Sequence, residues 1–322
     1  MSSKGDRLLI VGIGQLGLRY LEGLIKVDRR LDIIVVDSSI DALCIAQKKW
    51  LEISKGNLLH NITWKQDLHE AQAPARLAII STPSLRRISL IEEVADKIRP
   101  DYWILEKVLA QSSSELRAMD FLTADSKGVW VNTPRRLMKW HQQLKYQFLN
   151  NGPLQVSMIG GGWGLACNSI HFIDLVAWWS GESLDGVETA HLDSEWFESK
   201  RPGYFELTGT ILVTYSKGTT LELSSKVNVA DRIMEIKTSC GNFWQLDEVK
   251  GVASSRDGTT LRGRLEFQSE ITGPLVSSIL KNGKCDLPSL SESSSQHTVF
   301  LDSMLIHWNK SNNLQDKAVP IT

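Results

Sequence analysis

The sequence predicts an α/β protein in two parts, a doubly wound parallel sheet followed by an α+β domain with an open-faced, mainly antiparallel sheet. Three observations support this. Short apolar runs alternate with helical segments as far as Asn132, the pattern of parallel strands joined by crossover helices. Beyond Phe205 the apolar residues recur at every second position, the period of a sheet with one covered face. The chain has 322 residues, long for one core and comfortable for two. The boundary is expected near residue 134, giving domains 1–134 and 135–322.

The first element is the apolar run Arg7 to Val11, which leads into Gly12-Ile13-Gly14-Gln15-Leu16-Gly17. In such a Gly-x-Gly-x-x-Gly turn the first glycine permits a tight bend and the second lets backbone approach a pyrophosphate. The third lets the helix pack closely on the sheet. The unpaired N–H groups and positive dipole end of that helix then favour an anion without a basic side chain. Leu16, Tyr20, Leu24 and Ile25 supply the helix's apolar stripe. A second run, Leu31 to Val36, ends on Asp37, twenty positions after the last glycine, where a carboxylate accepts hydrogen bonds from an adenosine ribose. Asp37 would repel a 2′-phosphate, and its neighbours Ser38 and Ser39 offer no arginine to offset it, so NAD is expected in preference to NADP. This is the Rossmann pattern of a dinucleotide-binding domain. The competing reading is a glycine-rich turn of a parallel sheet with no ligand.

A helix over Ile40 to Leu51 and a short strand at Asn61 to Trp64 follow without evident chemistry. Arg76 to Ile80 is the next strand, broken at Ser81-Thr82-Pro83, with a helix from Ile88 to Ile98 that Pro100 ends. Loops at the carboxyl ends of parallel strands face the ligand crevice. Ser81, Thr82 and Pro83 are therefore candidates for the cofactor side, and Arg86 and Arg87 for the substrate or for a solvated helix face. Tyr102 to Leu105 makes a fifth strand and delivers Glu106 and Lys107 to the same edge. A lysine there can hydrogen-bond a substrate oxygen and stabilise charge developing on it; the alternative is a surface lysine paired with Glu106. A helix at Ser114 to Thr123 and a strand at Gly128 to Asn132 complete two mononucleotide-binding halves. The turn Thr133 to Arg136 opens an amphipathic helix expected to run through Leu149 and to break at Asn150 to Pro153.

In the second half, Leu154 to Ile159 reads as a strand, Gly160 to Gly164 as a glycine-rich loop around Trp163, and Cys167 to Trp179 as a helix stopped by Gly181. Cys167, His171 and Asp174 lie on neighbouring parts of that helix. Phe205, Leu207, Ile211, Val213 and Tyr215 alternate with mostly polar residues, Ser216 to Gly218 turns, and Leu221 and Leu223 resume, as in a hairpin. A further hairpin is expected around Cys240 to Asn242. The uncovered face of such a sheet is left for solvent or a second subunit. Phe300, Leu301, Met304, Leu305 and Trp308 mark a terminal helix, with His297 beside it as a capping or surface residue.

Composition narrows the function classes. The formal net charge of −1 leaves no broad positive field for nucleic acid or an anionic membrane. No apolar run is long enough to span a bilayer, so a cytoplasmic protein is expected. Cys44, Cys167, Cys240 and Cys285 are far apart with no C-x-x-C pair, which suits reduced thiols better than a disulfide framework or a zinc site, and no metal is expected. The eleven tryptophans read most simply as core or interface side chains.

In their order, Gly12 to Gly17, Ser81-Thr82-Pro83, Glu106-Lys107-Val108, Val131 to Arg136 and His171-Phe172-Ile173-Asp174 resemble the Gfo/Idh/MocA family, the sugar and inositol oxidoreductases. The resemblance spans nearly the whole chain. It implies a Rossmann domain with a substrate domain that associates into homodimers or homotetramers through its open sheet. It also implies hydride transfer between the nicotinamide of NAD and a secondary alcohol or ketone carbon of a sugar, polyol or nucleotide-activated sugar. Lys107 matches the family lysine that polarises the reacting oxygen, His171 the histidine that exchanges its proton, and Asp174 the aspartate of the same motif. Val108 replaces the usual proline; valine opposes a cis bond there, since a cis non-proline peptide costs roughly 2.5–4 kcal/mol. Cys167 stands where an aspartate is common, and Asn168 beside it points about 100° further round the helix. Arg87 replaces a frequent histidine and suits a substrate phosphate or carboxylate. Arg136, Trp163 and Asn168 are further candidate substrate contacts. Cys167 also leaves open a non-catalytic dinucleotide sensor or accessory subunit.

Overall fold

The structure, a computed structural model, describes residues 5–56, 59–71, 73–148, 152–227, 229 and 232–322. The chain forms two compact units. The first comprises residues 1–109, 117–132 and 266–290, the second residues 110–116, 133–265 and 291–322. The sequence boundary at 134 lies beside the division at Asn132/Thr133, but the segment 266–290, expected in the second domain, clusters with the first.

In the first unit, β1 (Asp6–Val11), β2 (Leu31–Val36), β3 (Asn61–Lys65), β4 (Leu77–Ile80), β5 (Tyr102–Glu106) and β6 (Gly128–Asn132) form a parallel sheet in the order β3-β2-β1-β4-β5-β6. The order reverses between β1 and β4, the switch point at which doubly wound sheets bind ligands. Strands β4 and β5 are buried throughout, as their unbroken apolar runs require of a sheet covered on both faces. The helices are α1 (Gln15–Leu24), α2 (Ile40–Ser54), α3 (Arg87–Lys97) and α4 (Ser113–Leu122), whose last six residues cluster here. The buried side of α1 is Gly17, Tyr20, Leu21, Gly23 and Leu24, so the expected stripe is corrected at its ends: Leu16 and Ile25 stay half-exposed, because Gly17 is the residue turned onto the sheet.

In the second unit, β7 (Leu154–Gly160), β8 (Leu184–Glu198), β9 (Phe205–Tyr215), β10 (Thr220–Ser225), β11 (Ile233–Thr238), β12 (Phe243–Asp247), β13 (Val252–Ser255) and β14 (Thr260–Arg262) make an eight-stranded sheet. Its order is β14-β13-β12-β11-β7-β10-β9-β8, antiparallel except where β7 meets β10. The hairpins expected around 216–218 and 240–242 are present as β9-β10 and β11-β12. One face packs under α6 (Leu165–Ser180), most of whose residues are buried and which ends at Gly181 in the left-handed conformation. The other face carries Gln155, Ser157, Leu212, Thr214, Glu222 and Lys237 around a shallow hollow of about 430 Å³.

The helix expected from Thr133 onward is divided. Pro134–Leu137 forms a 3-10 turn, Met138 is extended, and α5 (Lys139–Phe148) starts after it; the expected end at Leu149 and the first two residues of the break expected at 150–153 lie outside the described residues. A helix the sequence pattern does not announce, α7 (Gln268–Asn282), packs in the first unit against α1. There a Cβ on Gly23 would lie 2.6 Å from Cβ of Thr272. The last helix, α8 (Leu290–Asn312), starts earlier than expected and contains His297, which is fully buried and bonded within its own turn to Ser293, not a capping or surface residue. Trp50, Trp103, Trp130, Trp140, Trp179, Trp244 and Trp308 are buried, as a core reading of the tryptophans requires. No disulfide joins the described cysteines. Among the described residues no helix is long and apolar enough to cross a membrane.

Candidate functional site

The glycine turn is built as its sequence demands. Gly12 has φ +89° and passes so close to the next loop that a Cβ on it would meet Thr82 Cγ2 at 2.9 Å. A Cβ on Gly17 would lie 2.0 Å from the Gly12 carbonyl oxygen, so only glycine lets α1 start this close to β1. At Gly14, the extended residue before α1, a Cβ would meet no described atom within 4 Å. Open space over a helix N-terminus whose cap residue has no side chain is the cradle that a pyrophosphate needs, and the residues present fit that group. Ile13 is buried, Leu16 half-exposed, and Gly14 and Gln15 exposed.

Asp37 holds this turn from the end of β2. Its Oδ2 accepts from Ile13 N at 2.6 Å and its Oδ1 from Ser39 N at 2.8 Å, while Ser39 Oγ caps α2 at Ala42 N. Each carboxylate oxygen has a second lone pair, so Asp37 can brace the turn and still accept from a ribose. Ser38 is exposed beside it. Ser81 Oγ donates to the Gly12 carbonyl at 2.6 Å, tying the β4 loop to the β1 turn, and Thr82 and Pro83 follow at the same edge.

On the β5 loop Lys107 is half-buried, and the Lys107–Val108 peptide bond is cis, which corrects the expectation drawn from Val108. The Arg87 guanidinium holds this turn from within: Nη1 donates to the carbonyls of Glu106, Val108 and Leu109, and Nη2 to that of Thr82. Arg87 is 1% exposed. The expectation that it meets a substrate phosphate or carboxylate is therefore corrected, because its fork is used on backbone. Glu106 is likewise internal: its Oε1 accepts from Tyr20 Oη and Asn132 Nδ2, so its side chain braces α1, β5 and β6 instead of facing a cofactor. Burial pushes the Glu106 carboxyl above its ordinary range, opposed by Tyr20, Asn132 and Arg87.

In the second unit, His171 and Cys167 are partly exposed one turn apart on α6. Asp174, about 60° round the helix from His171, is 0% exposed. Its carboxylate accepts from Arg136 Nε and Nη2 and from Thr133 Oγ1. This corrects its placement as a catalytic residue and that of Arg136 as a substrate contact: the two form a buried pair, with Arg136 also bonded to Glu292. Burial raises Asp174 to about 6 against the pull of Arg136 and Thr133. Trp163 is half-buried, edge-on to Phe172 at 5.5 Å, with its indole N–H donated to the Ser224 carbonyl, so it has only a ring face to offer. Asn168 Nδ2 donates to the Trp163 carbonyl and steadies that loop.

No protein-family profile and no curated protein matches the sequence. Solved structures do match along nearly its whole length. Scyllo-inositol dehydrogenase from Lactobacillus casei with bound NAD(H) and scyllo-inositol aligns with TM-score 0.68 at 17% identity, covering 95% of this chain and 98% of that one. UDP-N-acetylglucosamine 3-dehydrogenase from Acidithiobacillus ferrooxidans aligns with TM-score 0.70 at 12% identity, covering 97% and 100%. An oxidoreductase from Agrobacterium radiobacter, in complex with NAD+, L-tartaric acid and magnesium, aligns with TM-score 0.67 at 13% identity over 93% and 96%. The chain has the fold of these dehydrogenases.

Within this dehydrogenase fold, two groups escape sequence reasoning. Glu206 on β9 accepts from Ala166 N and Cys167 N and so caps α6, where Gly164 offers no side chain. Glu248, after β12, holds Arg135 through Nε and Nη2, Arg232 through Nη2, and His141 at 3.2 Å. Burial alone would raise Glu248, but Arg135 and His141 outweigh it and keep the carboxyl well below its ordinary range. Arg135 in turn lies over the Phe172 ring at 4.3 Å. Carboxylates that act across so many residues leave no local signature.

Proposed function

We propose that this chain is an NAD-linked oxidoreductase of the Gfo/Idh/MocA type, acting at a secondary alcohol or ketone carbon of a sugar, polyol or nucleotide-linked sugar. The observation that carries the reading is that β1, β4 and β5, neighbours in the first sheet, bring the glycine turn, the Ser81 to Pro83 loop and Lys107 to one sheet edge. Gly12 to Gly17 would hold the pyrophosphate and Asp37 the adenosine ribose, favouring NAD over NADP. The nicotinamide, when bound, supplies the hydride acceptor or donor. Lys107 then holds the reacting oxygen and stabilises charge on it, and His171 takes or returns the hydroxyl proton. Asp174 and Arg136 keep α6, and with it His171, in place. Two copies associate through the uncovered face of the eight-stranded sheet.

The test is absorbance at the reduced-nicotinamide band with NAD and a panel of free and nucleotide-linked sugars and polyols. Reduction by one class, abolished in Lys107→Ala and His171→Ala while calorimetric NAD affinity is kept, is the expected result. A second reading, a non-catalytic dinucleotide sensor, is favoured by one observation: Cys167 supplies no acid beside His171. NAD binding without turnover of any panel member, in wild type and in Cys167→Asp, would replace the first reading with the second.

A further inference from the structure

We propose that Arg87 is a positioning residue for the reaction, an inference that rests on the oxidoreductase reading. Its guanidinium joins the Ser81 to Pro83 loop to the loop that carries Lys107, so that the two answer a ligand as one piece and the lysine works from a fixed base. All the residues involved belong to the first unit.

Strands β4 and β5 are paired as far as Ile80 and Leu105, where their ladder stops. Beyond that pair each turns into its own loop, one holding Thr82 and the other Lys107. Arg87 carries the connection on. Its Nη2 donates to the Thr82 carbonyl, and its Nη1 meets the carbonyls of Glu106 and Val108 at 2.5 Å and that of Leu109 at 3.1 Å. The pinned carbonyls of Glu106 and Val108 flank Lys107 in the chain, and Lys107 is itself half-buried. The Glu106 side chain is fixed as well, by Tyr20 and Asn132. A planar fork can serve two loops from one stem, whereas an ammonium group is a point charge without that geometry.

The backbone is strained to bring Arg87 there. Arg86, the residue before it, has φ +62°, a left-handed conformation uncommon in residues with a long side chain. That turn leaves Arg86 exposed and starts α3 with Arg87 inward, 1% exposed. Main chain held on both sides takes conformational freedom from the lysine that holds the reacting oxygen. Misplacing such a group by about 1 Å costs on the order of a hundredfold in rate.

Arg87→Lys is compared with wild type and with Trp50→Leu. Trp50 is buried on α2, which joins β2 to β3 at the opposite end of the sheet from β5. Amide hydrogen exchange is followed by mass spectrometry over residues 80–86 and 104–109, and turnover is read with NAD and the accepted sugar or polyol. In Arg87→Lys exchange should quicken about tenfold in both segments, and kcat and kcat/KM should fall together by about ten- to hundredfold, while the Kd for NAD stays within about threefold. Trp50→Leu should melt lower too, yet keep wild-type kcat and wild-type exchange in both segments. Wild-type kcat in Arg87→Lys, a loss no larger than that in Trp50→Leu, or faster exchange in one segment alone or in neither overturns the inference. Should Arg87→Lys not fold, wild type decides: NAD should slow exchange in both segments, and slowing confined to residues 80–86 overturns the inference. Quickened exchange in both segments of Arg87→Lys, in a protein that turns over no sugar or polyol, overturns the oxidoreductase reading and leaves the joining of the two loops standing.

Discussion

Gly14 and Gly17 make opposite demands on a single methyl group, and a pair of alanine substitutions separates them. At Gly17 the new Cβ would lie 2.0 Å from the Gly12 carbonyl oxygen, 2.9 Å from the Gly12 carbonyl carbon and 2.9 Å from Ser81 Oγ. Two of those atoms are backbone, so relief requires α1 to move away from β1. Overpacking of this kind costs about 1–3 kcal/mol, and more when backbone must shift. At the upper end, about 3 kcal/mol, that is a fall in Tm of roughly 6–12 °C in a chain of this size without cofactor. At Gly14 the Cβ meets no described atom, and φ is −60°, which alanine adopts freely. Gly14→Ala should therefore melt within about 3 °C of wild type, the cost of alanine at a helix cap. The methyl group would occupy the cradle, however, and lost hydrogen bonds to a charged phosphate weaken NAD binding by about ten- to hundredfold. Differential scanning fluorimetry and calorimetric NAD titration on both variants give the four numbers. A Gly14→Ala protein that binds NAD as wild type does, or a Gly17→Ala protein that melts unchanged, would refute the reasoning.

Arg87→Lys replaces a planar fork with a point charge that cannot serve four carbonyls, so urea denaturation should show a loss of about 2–3 kcal/mol; an unchanged midpoint would mean the fork is dispensable. His60 is 6% exposed, and among the described residues neither ring nitrogen has a hydrogen-bond partner; burial lowers its pKa. Its folded pKa thus lies below the unfolded value near ~6.5, the unfolded chain takes the proton first, and stability present above that pH is lost as pH falls below it. Urea midpoints at pH 7.5 and 5 should converge in His60→Phe relative to wild type. Leu212, half-buried on the uncovered sheet face, gives the test of association: sedimentation of wild type should show a dimer or tetramer, and Leu212→Glu should shift it toward monomer, whereas equal masses would place the interface elsewhere.

What could be read from the sequence was what acts over short distances along it. Gly12, Gly14, Gly17 and Asp37 belong to one strand-turn-helix-strand unit whose backbone geometry dictates residue type, and the structure has that geometry. The strands of the first sheet were legible for the same reason, each being a single apolar run. Arg87 was misread because an arginine beside an exposed one, Arg86, gives no sign of which will turn inward; that depends on the β5 loop, whose carbonyls it collects. Asp174 looked like part of a polar face shared with His171, yet the helix is covered on most sides and the acid is satisfied by Arg136. Glu206 was invisible because it caps a helix forty residues before it from a strand. Helix α7 was hidden by Gly273 and Pro274 in its interior, and α8 by the serines that open it.

The first unit has a consequence for how the protein is made. Its sheet is complete by Asn132, yet α7, the helix against Gly23 of α1, is encoded only at 268–282. On a ribosome, most of the chain must emerge before that side of the first unit is covered. Until then α1 carries a face open to solvent and to chaperones. A fragment ending at residue 134 would keep that face open permanently, and should express as an aggregation-prone species, whereas the glycine turn it contains is intact. Completion of the unit is set by the last fifth of the sequence, and an early nonsense or frameshift product yields no stable shortened version of it.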